Sequence, residues 1–168
     1  YTPYLEVIRT CFPNAKIVID RFHIVKLLNE PINSIRIKVM NAIKTSRPSD
    51  YNKLKKQWKL LLKNAEDLNF TDTHYVRQFG EAISEQRIVD YLLSISHELL
   101  VTYTLMNELK YAISTHDINI FNEILRGTKN QTLPSRTRRT IRTLAKFLPY
   151  IHNALKYTVS NGPTEGIN

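Results

Sequence analysis

The chain has 168 residues, enough for one medium domain with a hydrophobic core, and carries a net charge of +9. Hydrophobic residues make up 42% and charged residues 23%, ordinary proportions for a soluble globular protein, and no apolar run approaches the roughly 20 residues that span a membrane. A single cysteine, Cys11, excludes a disulfide framework or a cysteine-based zinc site within the chain and points to a reducing, cytoplasmic compartment.

Residues Pro3 to Phe12 fit a short helix, with Tyr4, Val7, Ile8 and Cys11 on one apolar face, where Cys11 is expected to be buried and inert. Phe12-Pro13-Asn14-Ala15 is a turn signal. Lys16-Ile17-Val18-Ile19-Asp20 then reads as a short buried strand ending in a carboxylate. From Phe22 the pattern is helical, with a kink or a fresh start at Pro31 and an apolar stripe of Ile32, Ile35, Val39 and Ile43. Ser46 to Asp50 is a break, with Asp50 a candidate N-cap. Tyr51, Leu54, Trp58, Leu61 and Leu62 form the next stripe, which makes Trp58 a core residue.

Residues Ala65 to Gly80 are ambiguous. Ser84 to Ser94 and His97 to Ser114 read as helices, and Ile118 to Leu125 as a shorter one ending at a Gly127 C-cap signal. After a turn at Lys129 to Pro134, Ser135 to Lys156 is helical, bent or broken at Pro149. Tyr157-Thr158-Val159 is a candidate second strand. The chain lacks an initiator Met and stops at Gly166-Ile167-Asn168, so both ends read as cuts in a longer protein.

Basic blocks over residues 36–63 and 126–168 flank an acidic middle over 64–125. A basic block attracts a polyanion such as DNA, although solvated helix faces are charged in any case. In the last helical stretch Arg136, Arg139, Arg142 and Lys146 share one face, with Arg138 nearby, and Ile141, Leu144, Leu148, Ile151 and Leu155 take the other. Guanidinium groups in such a row suit phosphate contact. Lys53, Lys56, Lys59 and Lys63 form a second stripe that reads as a solvated face.

Two motifs bear on chemistry. In Ile17-Val18-Ile19-Asp20-Arg21-Phe22-His23, a carboxylate at a strand end sits where α/β folds place ligands, but taken alone Asp20 reads more readily as a helix cap or turn residue than as a metal ligand. His23 can approach such a site or a phosphate, or serve as a structural hydrogen-bonding partner. In Ser160-Asn161-Gly162-Pro163-Thr164-Glu165-Gly166-Ile167-Asn168, Pro163 suits a helix start and Glu165 falls in its first turn, where the helix dipole favours a carboxylate anyway. His74, His97, His116 and His152 show no metal-ligand spacing.

Taken together, the stretch from Phe12 to His23 and the stretch from Ser160 to Asn168 resemble the bacterial insertion-sequence transposases of the ISL-three family, enzymes of the Asp-Asp-Glu class. The resemblance is sharp over these two ends and loose over the middle. It implies a fold that is mainly α with one or two short strands: a partial RNase H-like α/β catalytic core carrying a large all-helical insertion. Residues 1–45 would be part of that core, 46–156 the insertion, and 157–168 the return to the core. It also implies that Asp20 and Glu165 are two of three catalytic carboxylates and hold two Mg²⁺ or Mn²⁺ ions, hard cations that prefer oxygen ligands. Such an ion pair activates the attacking oxygen and stabilises the leaving one at a DNA phosphate.

The implied activity is cleavage and strand transfer at insertion-sequence ends, with transposon-end and target DNA as partners, self-association, and no membrane contact. The family's first catalytic Asp precedes the position where the chain begins, so the fragment alone is expected to be inactive. A non-enzymatic helical DNA-binding or assembly module, or a domesticated transposase remnant, is the alternative reading. Candidate DNA contacts are His23, Arg136, Arg138, Arg139, Arg142 and Lys146.

Overall fold

The long helix α5 (His97–Ser114) is apolar around most of its circumference, and a helix of that kind must lie inside other elements. Leu99, Met106, Leu109 and Ala112 are fully enclosed, and Leu105 and Ile113 nearly so. The computed structural model of the chain describes residues 2–157, with side chains from residue 5 onward. The other helices are α1 (Thr2–Cys11), α2 (Arg21–Ala42), α3 (Pro48–Lys56), α4 (Glu85–Ser94), α6 (Ile118–Gly127), α7 (Ser135–Lys146) and α8 (Leu148–Lys156). Single 3₁₀ turns occupy Leu60–Leu62, Ala65–Asp67 and Thr128–Asn130.

Helix α2 lies along α5 and buries Ile24, Leu28, Ile32 and Ile35, spaced by four, four and three. Pro31 sits inside α2 without ending it. Proline there removes one backbone donor and crowds the preceding turn, at a cost of about 3 kcal/mol. Each fully buried aliphatic side chain returns roughly 1.5–3 kcal/mol, so the stripe outweighs the defect. Helix α7 packs on α2 with Ile141 and Leu144, and the buried hydroxyls of Thr137 and Thr102 meet at 2.7 Å between α7 and α5. Side chains from residues 1–45 and from 46–156 share a single apolar cluster.

Side-chain caps fix the helix starts. Ser84 accepts the Arg87 amide at the start of α4, Ser96 the Leu99 amide at α5, and Asp117 the Asn119 and Ile120 amides at α6. The expected break near Pro149 falls at Phe147, with Pro149 in the first turn of α8, where its missing donor is not needed.

Several expectations are corrected. Residues 15–20 form no strand; they run without regular structure, and no described strand lies beside them to complete a ladder. The strand expected at Tyr157–Val159 falls outside the described residues beyond Tyr157, as does Glu165. The only sheet among the described residues is an antiparallel hairpin of β1 (His74–Val76) and β2 (Glu81–Ile83), in register His74 with Ile83 and Val76 with Glu81. Residues 46–156 are therefore helical but not wholly so. The hairpin turn places Gly80 at φ +72°, a left-handed conformation that disfavours any side chain.

Pro48 starts α3, so Asp50 lies in its first turn instead of capping it. Asp50 is buried, accepts the Tyr91 hydroxyl at 2.7 Å and pairs with Arg47 at 2.6 Å. Lys53, expected on a solvated face, is instead mostly covered, with its ammonium 4.0 Å from the Tyr91 ring centre and 5.0 Å from that of Phe79. Gly127 keeps a right-handed conformation and makes no left-handed C-cap. Trp58 is half-buried, with the Arg36 guanidinium 5.9 Å from its ring centre. Cys11 is exposed, as is Val7 on the same face of α1, while Ile8 is half-buried.

Candidate functional site

Residues 15–20 lie against the end of α8, although they are not a strand. The Asn153 side-chain amide donates to the Ile17 carbonyl at 2.8 Å, and the Lys16 ammonium donates to the Tyr157 hydroxyl at 2.7 Å. The same ammonium lies 5.0 Å from the Tyr157 ring centre. The Lys16 hydrogen bond holds the Tyr157 phenol below its ordinary pKa. Arg9 of α1 meets the Tyr150 hydroxyl on the same helix. Val18 and Ile19 are partly buried against the core.

This packing delivers Asp20 to the start of α2, where its Oδ1 accepts the Phe22 amide at 2.9 Å. Asp20 is thus a helix cap, and its other carboxylate oxygen makes no hydrogen bond among the described residues. Capping uses one oxygen and leaves the second for a ligand.

The next residue ties Asp20 to the far end of the chain. Arg21 contacts the His116 ring at Nε2, and His116 Nδ1 lies 3.0 Å from the Leu155 carbonyl. A neutral ring with its proton on Nδ1 satisfies both neighbours. His116 occupies the α5–α6 turn at φ +58°, unusual for a residue with a side chain. No sequence spacing pointed to Arg21 or His116, since the two are joined only by the fold.

His23 is exposed on the first turn of α2, edge-on to Phe22 at 5.7 Å. It lines an open, mostly apolar groove of about 520 Å³ between α2 and the junction of α7 with α8, with Ile19, Leu27, Leu144, Phe147 and Ile151. No group of three metal-binding side chains exists among the described residues. Asp20 alone does not make a metal centre there, although its unengaged oxygen suits one ligand position of a hard cation.

Helix α7 carries its basic residues outward, as the periodicity requires. Thr137, Thr140, Ile141 and Leu144 are buried, while Arg136, Arg138, Arg139, Arg142 and Lys146 are exposed. They do not form one patch. Arg136 turns toward α2 and meets Glu30 at 3.6 Å. Arg138 and Arg142 turn the other way, into a second groove of about 630 Å³ shared with α6 and α8. There Arg138 donates to the Leu133 carbonyl at 3.0 Å. Lys146 lies 5.5 Å from the Phe147 ring centre. No described helix is long and apolar enough to cross a membrane.

Comparison with known proteins places this geometry in context. A protein of Lactococcus lactis subsp. lactis carrying the name ATP-dependent protease is 39% identical over 100 residues, which is 60% of this chain and 32% of that protein. The chain therefore spans about a third of that relative's length, and its named activity is not carried over. No solved structure matches the chain. The model of the Asp-Asp-Glu transposase family ISL-three, described as a transposase, matches residues 1–168, the whole length. With the Asp20 motif held beside the chain that leads to the Glu165 motif, and the family's model covering every residue, the chain belongs to the ISL-three transposases.

Proposed function

We propose that the chain is part of the catalytic domain of a transposase that cuts DNA at insertion-sequence ends and joins the freed 3′-hydroxyl to target DNA. Asp20 and Glu165 are two of its catalytic carboxylates. The observation that carries this reading is the pairing of residues 16–17 with Asn153 and Tyr157. It leaves the chain beside the Asp20 segment eight residues before Glu165, a span of at most about 28 Å when extended. Glu165 is therefore within reach of Asp20, although the long stretch between them is mostly helical.

Transposases of this class generally use divalent metal ions. When bound, two such ions activate the attacking oxygen and stabilise the leaving one. Asp20 and Glu165 would hold them, with a third carboxylate from the longer protein. Within this chain, the α2 cap fixes the Asp20 backbone, and the Arg21–His116–Leu155 link holds the end of α8 against it.

Residues 1–45 and 157–168 are read as pieces of an RNase H-like core and 46–156 as an insertion. Support comes from the meeting of the 15–20 segment with Tyr157. Exposed Val7, Phe12 and Phe22 near this edge are consistent with a covering partner, whether a second copy or the remainder of the protein. The second reading, a helical DNA-binding module without catalysis, is favoured by the basic groove on α7.

Mn²⁺ titration by calorimetry separates the two readings. The catalytic reading expects Asp20→Asn and Glu165→Gln each to weaken binding by at least about tenfold. Mn²⁺ binding that neither substitution changes would exclude these residues as ligands and leave the binding-module reading.

A further inference from the structure

The groove between α6 and α7 differs in charge from two other grooves of the described surface. Four cations, Arg126, Lys129, Arg138 and Arg142, line it, and no carboxylate does. The groove beside Asp20 is lined by Glu30 as well as Lys26, both on α2, and a third groove on α5 contains Glu66 and Glu108. All four cations are exposed, and none makes an ion pair among the described residues. Like charges gathered without partners repel one another and are stabilised by an anion from outside.

The charges come from three successive elements: Arg126 from the last turn of α6, Lys129 from the 3₁₀ turn after it, and Arg138 and Arg142 from α7. Arg138 and Arg142 are four residues apart, about 6 Å along the helix, and so project side by side. The Arg138 bond to the Leu133 carbonyl fixes its guanidinium at the groove wall. Opposite, the His152 ring and the Asn122 side chain meet at 2.9 Å and brace α8 against α6.

We propose that this groove is a binding site for the phosphate backbone of double-helical nucleic acid, separate from the Asp20 region. Four cations without a carboxylate among the lining suit contact with more than one phosphate. No aromatic side chain other than the His152 imidazole lines it, so there is no platform of the kind on which single-stranded bases stack. The contact is to backbone and carries no sequence preference of its own. Arg136 and Lys146, which share the helix but not the groove, contribute little. The site does not depend on the catalytic reading, because binding there requires neither Asp20 nor Glu165.

The test is fluorescence anisotropy with a labelled mixed-sequence duplex of about 20 base pairs, in EDTA, between about 50 and 200 mM salt. EDTA removes metal ions, so the result stands or falls apart from metal chemistry. The combined variant Arg126→Gln, Lys129→Gln, Arg142→Gln is expected to reduce the slope of log affinity against log salt by about two to three. Arg138 is left intact because it also holds the Leu133 backbone. A control of equal charge, Lys55→Gln, Lys56→Gln, Lys59→Gln on the α3 side, is expected to change the slope by less than one contact's worth, about 0.9. An equal loss in both variants would mean diffuse attraction by net charge and overturn the groove. An unchanged slope in the groove variant would do the same. Groove-dependent binding that is tighter for a single strand than for the duplex would overturn the assignment to double-helical backbone.

Discussion

Lys16 and Tyr157, separated by almost the whole described chain, are joined by a hydrogen bond of 2.7 Å from ammonium to phenol. The contact brings the segment before Asp20 together with the residue after α8. Because the Lys16 hydrogen bond holds the phenol below its ordinary pKa, Lys16→Gln should raise the Tyr157 ionisation toward that of a free tyrosine. The Tyr157 signal is obtained as the ultraviolet difference titration against Tyr157→Phe. An unchanged midpoint in Lys16→Gln would mean that the two ends do not meet in solution.

Asp20 has a structural role that can be separated from a catalytic one. Asparagine caps helices about as well as aspartate, whereas alanine does not. Asp20→Asn should leave urea stability nearly unchanged, and Asp20→Ala should cost roughly 0.5–2 kcal/mol. Equal losses in both would show that the negative charge, and not the capping acceptor, holds the start of α2.

His116 at φ +58° should tolerate glycine in its backbone but not a β-branched residue. His116→Val is expected to be less stable than His116→Gly by roughly 1–3 kcal/mol in chemical denaturation. Similar stabilities would indicate that the turn is not left-handed.

Lys110 is buried and donates to the Leu62 and Lys63 carbonyls, and desolvation lowers its pKa from 10.5 to about 8. The unfolded chain then holds a proton that the folded chain has released between pH 8 and 10.5. Stability contributed by this group therefore rises with pH across that window. Lys110→Met should remove that rise when its pH–stability curve is compared with the parent's. Parallel curves would contradict the burial of a titrating Lys110.

The helices were legible where period and caps agree. α4, α5 and α6 lie where Ser84–Ser94, His97–Ser114 and Ile118–Leu125 were expected, because a 3.6-residue stripe coincides with a capping side chain. The hairpin was not legible. Its strands have three residues each, and Val76 and Ile83 are their only inward positions, too few for an alternation to register. The segment 16–20 has the composition of a strand, but a strand also needs a neighbour, and none lies among the described residues. At the site, the sequence marked Asp20 and the α7 cations. It could not show that Arg138 and Arg142 alone of those cations enter a groove, where Arg126 and Lys129 meet them, or that Arg21 meets His116, because those relations exist only after the helices pack.

The central claim, that Asp20 and Glu165 serve one catalytic centre, is tested most directly by the separation of their carboxylates in a crystal structure with bound Mn²⁺. Two ions about 4 Å apart, each held at about 2.1 Å, place carboxylate oxygens no more than roughly 8 Å from each other. Carboxylates within that distance and sharing the Mn²⁺ site are the predicted result. Well-ordered carboxylates held far apart, with Mn²⁺ at neither, would contradict it.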